Sequence, residues 1–336
     1  MFFRAQALEL IMHIIEVTDL MELTQMEHTS GETVIRLIPK NWSAGYYRER
    51  TDRNIGWITA AEQELLRESC VGIAGTGGMG GLLAAILVRA GVGEIRIADS
   101  EVFDVSNLNR QFAATGSTIG ESKAVETARA VRSIATDTTV VVYPQGITEE
   151  TVRMFIEGCD VICDEIEVLA VDSRILLHQQ ARRLGVSLFN CNTAGFSTNL
   201  FLYTLTGIAI EDIIGFGYEE AKELRRKAEE GNAGAAEKIA LAMVQAVVPQ
   251  LPEYRPSASE TDTAAFWRRL LSERKVSIIA TNPPMATGFL ADRILLYLLR
   301  NSGVKREIVH TPEMPHYLHF DAAHMRAFVG TGEWNQ

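Results

Sequence analysis

The amino-acid sequence predicts an α/β fold with a doubly wound sheet, parallel in its first half and mixed or antiparallel in its second, flanked by helices. Three observations carry that expectation. From about residue 60, apolar runs of strand length alternate with amphipathic runs of helical length, the rhythm of strand–helix–strand units. The apolar run ending in "VGIAG" breaks into a glycine cluster and resumes as "GGLLAAILVRAG". After "TNLFLYTLTG" the alternation stops and a charged helical block takes over.

The elements follow in order. Residues 1–45 read as an N-terminal extension ending near "PKNWSAG". Its opening, "MFFRAQALELIMHIIEVTDL", is apolar but carries Arg4, Glu9, Glu16 and Asp19 and has no small-residue cleavage site. It therefore predicts a helix packed on the protein body or on a second subunit rather than a signal peptide. "CVGIAG", "EIRIAD", "TTVVVYP", "DVICDEI" and "VSLFNCN" read as strands. "GGLLAAILVRAG" reads as a helix closed by Gly91, and "SKAVETARAVRSIA", "ETVRMFIEG" and "DSRILLHQQARRLG" as further helices. Residues 217–247 are helical and strongly charged on one side, and "PQLPEYRPSASETD" is a Pro/Ser-rich loop. "VSIIATNPPMATGFLADRILLYLLR" predicts a strand, a proline-punctuated loop and a buried helix, and "PHYLHFDAAHMRAFVG" a final strand and cap.

Composition narrows the function. The 336 residues are 47% hydrophobic and 22% charged, enough for one large domain or two smaller ones. A formal net charge of -11 with no basic cluster argues against a nucleic-acid partner. No apolar run reaches the ~18 residues of a membrane span. Cys70, Cys159, Cys163 and Cys191 lie far apart in sequence or inside apolar runs, with no CxxC pair to hold zinc. They read as reduced, buried thiols, and the protein as cytoplasmic.

In "GTGGMG", Gly75, Gly77 and Gly80 fit G-x-G-x-x-G between a strand and a helix. Without Cβ atoms, backbone amides and a helix N-terminus can face an anion directly. Asp99 ends the next strand, where a carboxylate can take ribose hydroxyls. To this point a dinucleotide dehydrogenase and an ATP enzyme remain open. Asn107, Arg110, Gln111 and Lys123 follow closely, and such cations and amides suit a triphosphate.

The run from Arg53 to Lys123, with "RNIGWITAAEQELL", "GTGGMG", "DSEVFDVSNLNRQF" and "GESK", resembles the ThiF/MoeB/HesA superfamily of adenylating enzymes. The similarity continues through "DVICDEIEVLAVDSR" and weakly into "NPPMATGFLADRILLYLL". It implies a Rossmann-like adenylating domain over residues 46–336, with a nucleotide-binding half of about 46–190 and a substrate half of about 191–336. It implies a nucleotide cradle at Gly75, Gly77, Gly78 and Gly80, a ribose contact at Asp99, and ATP-phosphate contacts at Asn107, Arg110, Gln111 and Lys123. Arg53, with Arg50 as competitor, matches an arginine reaching the neighbouring subunit's ATP, which implies a homodimer. Asp164 and Glu167 match a metal-holding pair for Mg²⁺, the second being Glu where Asp is usual, and Val168 follows where Asn is usual. No structural zinc is expected, since the paired CxxC motifs are absent, and no crossover cysteine follows Cys191. Cys191 reads as a structural thiol, with a nucleophile as the alternative.

The implied activity is ATP-dependent adenylation of a carboxylate with release of pyrophosphate, the acceptor being the C-terminal Gly-Gly of a ubiquitin-fold sulfur carrier. The catalytic set is then Arg110, Lys123, Arg53 and Glu167. A peptide, a small-molecule carboxylate or a tRNA nucleoside is the alternative acceptor. A non-catalytic nucleotide-binding scaffold is a reading of another class.

Overall fold

The computed structural model describes residues 23–29, 32–39, 43–249, 269, 273 and 276–332. The chain divides into two compact units, Met1–Glu165 with Ala291–Glu307, and Ile166–Leu290 with Ile308–Gln336. The opening segment 1–22 and residues 250–262 of the Pro/Ser-rich loop lie outside the described residues.

The first unit begins with a hairpin, β1 (Leu23–Thr29) and β2 (Glu32–Leu37), followed by helices α1 (Ala44–Thr51) and α2 (Ala60–Glu68). It continues as β3 (Cys70–Ala74), α3 (Gly80–Ala90), β4 (Glu94–Ala98), α4 (Lys123–Ile134), β5 (Thr139–Tyr143), α5 (Val152–Ile156) and β6 (Val161–Asp164). Its strands lie in the order β1-β2-β5-β4-β3-β6. The pairs among β3, β4, β5 and β6 are parallel, while β2 runs antiparallel to β5 and β1 to β2. The extension thus adds a hairpin to the edge of the nucleotide-half sheet.

The central strands are apolar without alternation because both faces are covered, and Val71, Ile73, Ile95, Ile97, Val140, Val142 and Val161 are fully buried. The chain lays down β3, β4 and β5 in one direction, then returns to place β6 on the other flank of β3. That reversal is the switch point at which open α/β sheets leave a crevice beyond the strand ends. Ala74 stands in register with Ala98 on one side and Asp164 on the other, so three strands end at one level there.

Local chemistry fixes the flanking helices. Thr59 and Glu62 form a capping box: the Glu62 carboxylate accepts from Thr59 N–H at 2.9 Å, and the Thr59 hydroxyl accepts from Glu62 N–H at 3.2 Å. Helix α3 ends at Gly91, whose φ of 104° suits glycine. A Cβ there would also fall 2.3 Å from Gln63 Nε2 and 2.6 Å from the Tyr47 hydroxyl. Tyr47 donates to the Gly91 carbonyl at 2.8 Å, tying α1 to the end of α3.

The second unit contains α6 (Val171–Leu184), β7 (Leu188–Ala194), β8 (Ser197–Tyr203), α7 (Ile210–Ile214), α8 (Tyr218–Glu229) and α9 (Ala233–Val247). Next come α10 (Asn282–Leu298), whose second half belongs to the first unit, and strands β9 (His316–Asp321) and β10 (Arg326–Thr331). Strands β7, β8, β9 and β10 pair antiparallel in that order. The charged block is two helices broken at Gly231, with φ 94°, and restarted by Asn232, whose side chain accepts from Ala235 N–H.

Three sequence expectations are corrected here. Val276–Ile279 is not a strand, and Pro283 and Pro284 lie inside the first turn of α10 rather than in a loop. At a helix start the missing proline N–H has no partner to lose. The expected final strand with its cap is a hairpin, Arg326 pairing with Asp321 across the turn. Among the described residues no helix is long and apolar enough to cross a membrane.

Candidate functional site

Beyond the ends of β3, β4 and β6 the first unit gathers most of the residues singled out in the sequence. Gly75 leaves β3 with φ 93°, and its N–H donates to the Ala98 carbonyl at 2.7 Å. Gly80 cannot carry a side chain, because a Cβ would meet the Gly75 carbonyl oxygen at 1.9 Å. Gly77 is different: its backbone is not in the left-handed region, and a Cβ would meet only Gln111 Nε2, at 3.7 Å. Helix α3 follows Met79 as its N-cap, which makes no side-chain cap, so its first N–H groups are not claimed by a capping side chain. An open helix start beneath a glycine turn is the arrangement that receives phosphate.

Asp99 braces the loop from β4. Its Oδ2 accepts from Thr76 N–H at 2.7 Å and from the Thr76 hydroxyl at 3.0 Å, and its Oδ1 from Glu101 N–H at 2.9 Å. Burial pushes its carboxyl up despite these donors. Each oxygen retains acceptor capacity for a further donor such as a ribose hydroxyl.

The "SNLNRQF" run forms a 3-10 turn, Val105–Asn109, capped by Asp104. Asn107 is buried, and its side-chain Oδ1 accepts from Asp104 N–H at 3.1 Å. That side chain holds the turn's shape, a role that sequence alone did not separate from phosphate contact. Gln111 is buried with its Oε1 unpartnered, and the Nε of Arg110 is likewise buried without a partner. The other end of Arg110 donates to the Ser106 carbonyl at 3.1 Å and to Asn109 Oδ1 at 2.9 Å. Burial lowers the Arg110 pKa, with Asp104 and Glu101 opposing the shift. Unpaired buried polar atoms are costly, and of the two residues Gln111 has its amide nitrogen 3.7 Å from where a Gly77 Cβ would stand. Lys123 is buried, its Nζ donating to Glu101 Oε2 at 2.6 Å. Glu101 was not singled out in the sequence, where it reads as one more charge in an acidic loop.

The two competing arginines separate cleanly. Arg50 is structural: its Nε donates to the two Asp137 carboxylate oxygens at 2.8 and 3.0 Å, and its guanidinium also reaches the Val88 carbonyl at 2.7 Å. Arg53 lies in the turn Asp52–Asn54 and is exposed. Asp164 ends β6 fully buried, and the following Glu165 N–H donates to the Ala74 carbonyl at 2.8 Å. Glu167 is the second residue of the second unit, exposed, with its Oε2 accepting from Leu169 N–H at 2.7 Å. Among the described residues no group of three or more His, Cys, Asp or Glu side chains is arranged to hold a metal ion. Cys191 is buried in β7 with its sulfur 3.2 Å from the Thr198 hydroxyl.

Comparison with known proteins places this geometry. Residues 51–329 match the profile of the ThiF family. The tRNA threonylcarbamoyladenosine dehydratase of Bacillus subtilis is 33% identical over 114 residues, 32% of this chain and 45% of that protein. The sulfur carrier protein ThiS adenylyltransferase of the same organism is 32% identical over 131 residues, 38% of each. The chain spans less than half the length of these curated relatives. Escherichia coli MccB, solved with MccA-N7isoASN, has a TM-score of 0.56 at 15% identity, covering 88% of this chain and 74% of that one. At that identity the likeness concerns the fold.

Proposed function

We propose, from the premise that this chain belongs to the ThiF family as the match over residues 51–329 shows, that it adenylates a carboxylate with ATP. The observation that carries the reading is the glycine turn at the switch point, open at the start of α3, with the Gln111 amide nitrogen 3.7 Å from where a Gly77 Cβ would stand and with the preceding Arg110 keeping a buried Nε–H without a partner. A dehydrogenase needs no guanidinium and amide side by side in the chain next to its pyrophosphate turn.

In this reading the loop Gly75–Gly80 and the first amides of α3 receive the phosphates, with Gly77 and Gly78 leaving room for close approach. Asp99 takes the ribose hydroxyls. Arg110 turns its unpaired Nε–H, and Gln111 its amide Nε2–H, to the phosphates, with Gln111 Oε1 left to accept from a donor of the ligand, while Asn107 keeps the turn that presents them. Lys123 exchanges or shares its Glu101 partner with phosphate oxygen. An incoming carboxylate oxygen bonds to the α-phosphorus as the bond to the bridging oxygen breaks, and pyrophosphate leaves with the electron pair. The attacking carboxylate needs no general base, so catalysis rests on positioning and on cations that meet the developing charge. Mg²⁺, when bound, would shield the phosphates. Asp164 is the carboxylate of the first unit that fits it, since Mg²⁺ is commonly held by one or two carboxylates plus phosphate. Arg53, exposed where Arg50 is tied down, serves a neighbouring subunit's site in a homodimer.

The favoured acceptor is the C-terminal glycine of a ubiquitin-fold sulfur carrier. Relatives that act on a sulfur carrier and on tRNA have similar identity to this chain. The net charge of -11 supports a protein carboxylate over RNA. Mg²⁺-dependent ATP–pyrophosphate exchange, alone and with small proteins ending in Gly-Gly, tests this. Exchange that requires such a protein and is lost in Arg110→Ala supports it. ATP binding without exchange across the panel refutes the sulfur-carrier acceptor, and no ATP binding refutes the whole reading.

A further inference from the structure

The four cysteines, scattered in sequence, are all buried as free thiols, yet two of them meet. Cys70, at the first position of β3, and Cys159, two residues before β6, bring their sulfurs to 3.4 Å. At that separation one thiol can donate its hydrogen to the other sulfur. We propose that Cys70 and Cys159 are a reversible oxidation site that closes into an intramolecular disulfide across the base of the nucleotide-binding unit.

The surroundings are built for register. The Cys70 N–H donates to Asp160 Oδ2 at 2.8 Å, and the Asp160 N–H donates back to the Cys70 carbonyl at 2.9 Å. These two bonds hold the backbones on either side of the sulfurs together. Gly158, with φ 84°, turns the chain just before Cys159. Arg96 fixes the incoming segment by donating to the carbonyls of Met154, Phe155 and Glu157 at 2.8, 3.0 and 2.8 Å. Bringing the sulfurs from 3.4 Å to bonding distance takes about 1.4 Å, which two χ1 rotations can share. Cys163 and Cys191 are buried on β6 and β7.

The chemistry balances with a small disulfide such as oxidised glutathione as the oxidant. One protein thiol loses its proton and attacks a glutathione sulfur, expelling glutathione thiolate and leaving a mixed disulfide. The second protein thiolate attacks the bound protein sulfur and expels the other glutathione. Two protein thiols are oxidised and one glutathione disulfide is reduced to two thiols. Cys70 and Cys159 are each 7% exposed, enough to touch solvent at the strand base. The neighbouring Cys159 sulfur and burial push the Cys70 thiol up, so the reaction should be slow at neutral pH and faster as pH rises.

Closure would staple the segment from Cys70 to Cys159, which contains the glycine turn, Asp99, Asn107, Arg110, Gln111 and Lys123. The staple lies at the end of β3 opposite the glycine turn, so its first effect is on unfolding rather than on ligand contact. The inference is independent of the adenylation reading. The full chain, freed of reductant, is incubated with oxidised glutathione, its thiols are counted after denaturation, and its peptides are mapped by mass spectrometry. The expected result is a fall from four thiols to two, a cross-linked Cys70–Cys159 peptide without retained glutathione, and a Tm raised by roughly 5–10 °C that dithiothreitol reverses. Cys163→Ser should leave the cross-link intact, and Cys159→Ser should abolish it. A stable glutathione adduct, a cross-link using Cys163 or Cys191, or four surviving thiols would overturn the proposal. The mapping on unmodified protein decides the matter even if a variant folds poorly.

Discussion

Replacing Gly77 by alanine separates the fold of the glycine turn from its use. An added Cβ would lie 3.7 Å from Gln111 Nε2, an ordinary contact, with no other atom within 4 Å. Its φ is outside the left-handed region, so alanine is not strained there. The fold should therefore accept Gly77→Ala, with stability changed by about 1 kcal/mol or less and in the stabilising direction if the unfolded chain loses freedom. The ligand should not accept it, because the methyl group occupies the space through which a phosphate approaches the backbone amides. Losing one charge-assisted hydrogen bond, at roughly 1.5–3 kcal/mol, weakens ATP by about tenfold to about a hundredfold, and losing two multiplies those factors. Isothermal titration with Mg²⁺-ATP reads the affinity, and a thermal melt reads the fold. A folded Gly77→Ala protein that binds ATP as the unmodified chain does would refute the placement of phosphate over this turn.

Three further outcomes follow from the same geometry. Gly80→Ala should fail in the fold, since its Cβ meets the Gly75 carbonyl oxygen at 1.9 Å; a cost of roughly 1–3 kcal/mol or more should appear in urea unfolding before any ligand is added. Arg53→Ala should leave the melting temperature unchanged while lowering pyrophosphate exchange. Arg50→Ala should instead cost about 3 kcal/mol, because it strands the Asp137 carboxylate, which is 1% exposed; equal effects of the two on exchange and melting would sink the division of roles. Glu62 supplies the pH test: the Arg306 guanidinium, with a 2.7 Å hydrogen bond, holds its carboxyl down to about 2. A lowered native pKa means stabilisation that is complete above the unfolded value and lost as pH falls from about 4.5 towards 2. Arg306→Met should therefore lose on the order of 2–3 kcal/mol in urea unfolding at pH 7 and less at pH 3, and an equal loss at both would refute the pairing.

What the sequence made legible was whatever depends on neighbours along the chain. Strands β3 to β6 and helices α3, α4 and α6 are legible because uninterrupted Val and Ile runs mark strands buried on both faces, and Gly91 marks a helix end. Val276–Ile279 carries the same apolar signal without becoming a strand, because pairing is a property of the partner and not of the run. Pro283 and Pro284 look like a loop only if the helix is taken to start after them. The meeting of Cys70 with Cys159 depends on β6 returning beside β3, which no spacing rule encodes.

The site divides along the same line. Glycine spacing and the Asp99 position are local and could be read directly, whereas the distinction between Arg50 and Arg53 could not. Both are arginines near the start of the domain, three residues apart, and only the placement of Asp137 and the Val88 carbonyl around Arg50 assigns it to structure. Asn107 and Gln111 look alike in "SNLNRQF", yet the Asn107 amide oxygen receives a backbone N–H, while the Gln111 Oε1 remains buried and unpaired. Polar groups committed to the turn add rigidity; those left uncommitted at a desolvation cost hold capacity for a ligand. On the proposed reading, the unpaired Arg110 Nε–H serves phosphate, and the Gln111 amide, a donor through Nε2 and an acceptor through Oε1, serves the ligand more than Asn107 does. Gln111→Leu should then cost ATP affinity with little loss of fold, whereas Asn107→Leu should disorder the turn and lower both together. If the two substitutions gave the same profile in titration and melting, the unpaired Oε1 would be packing residue rather than ligand capacity.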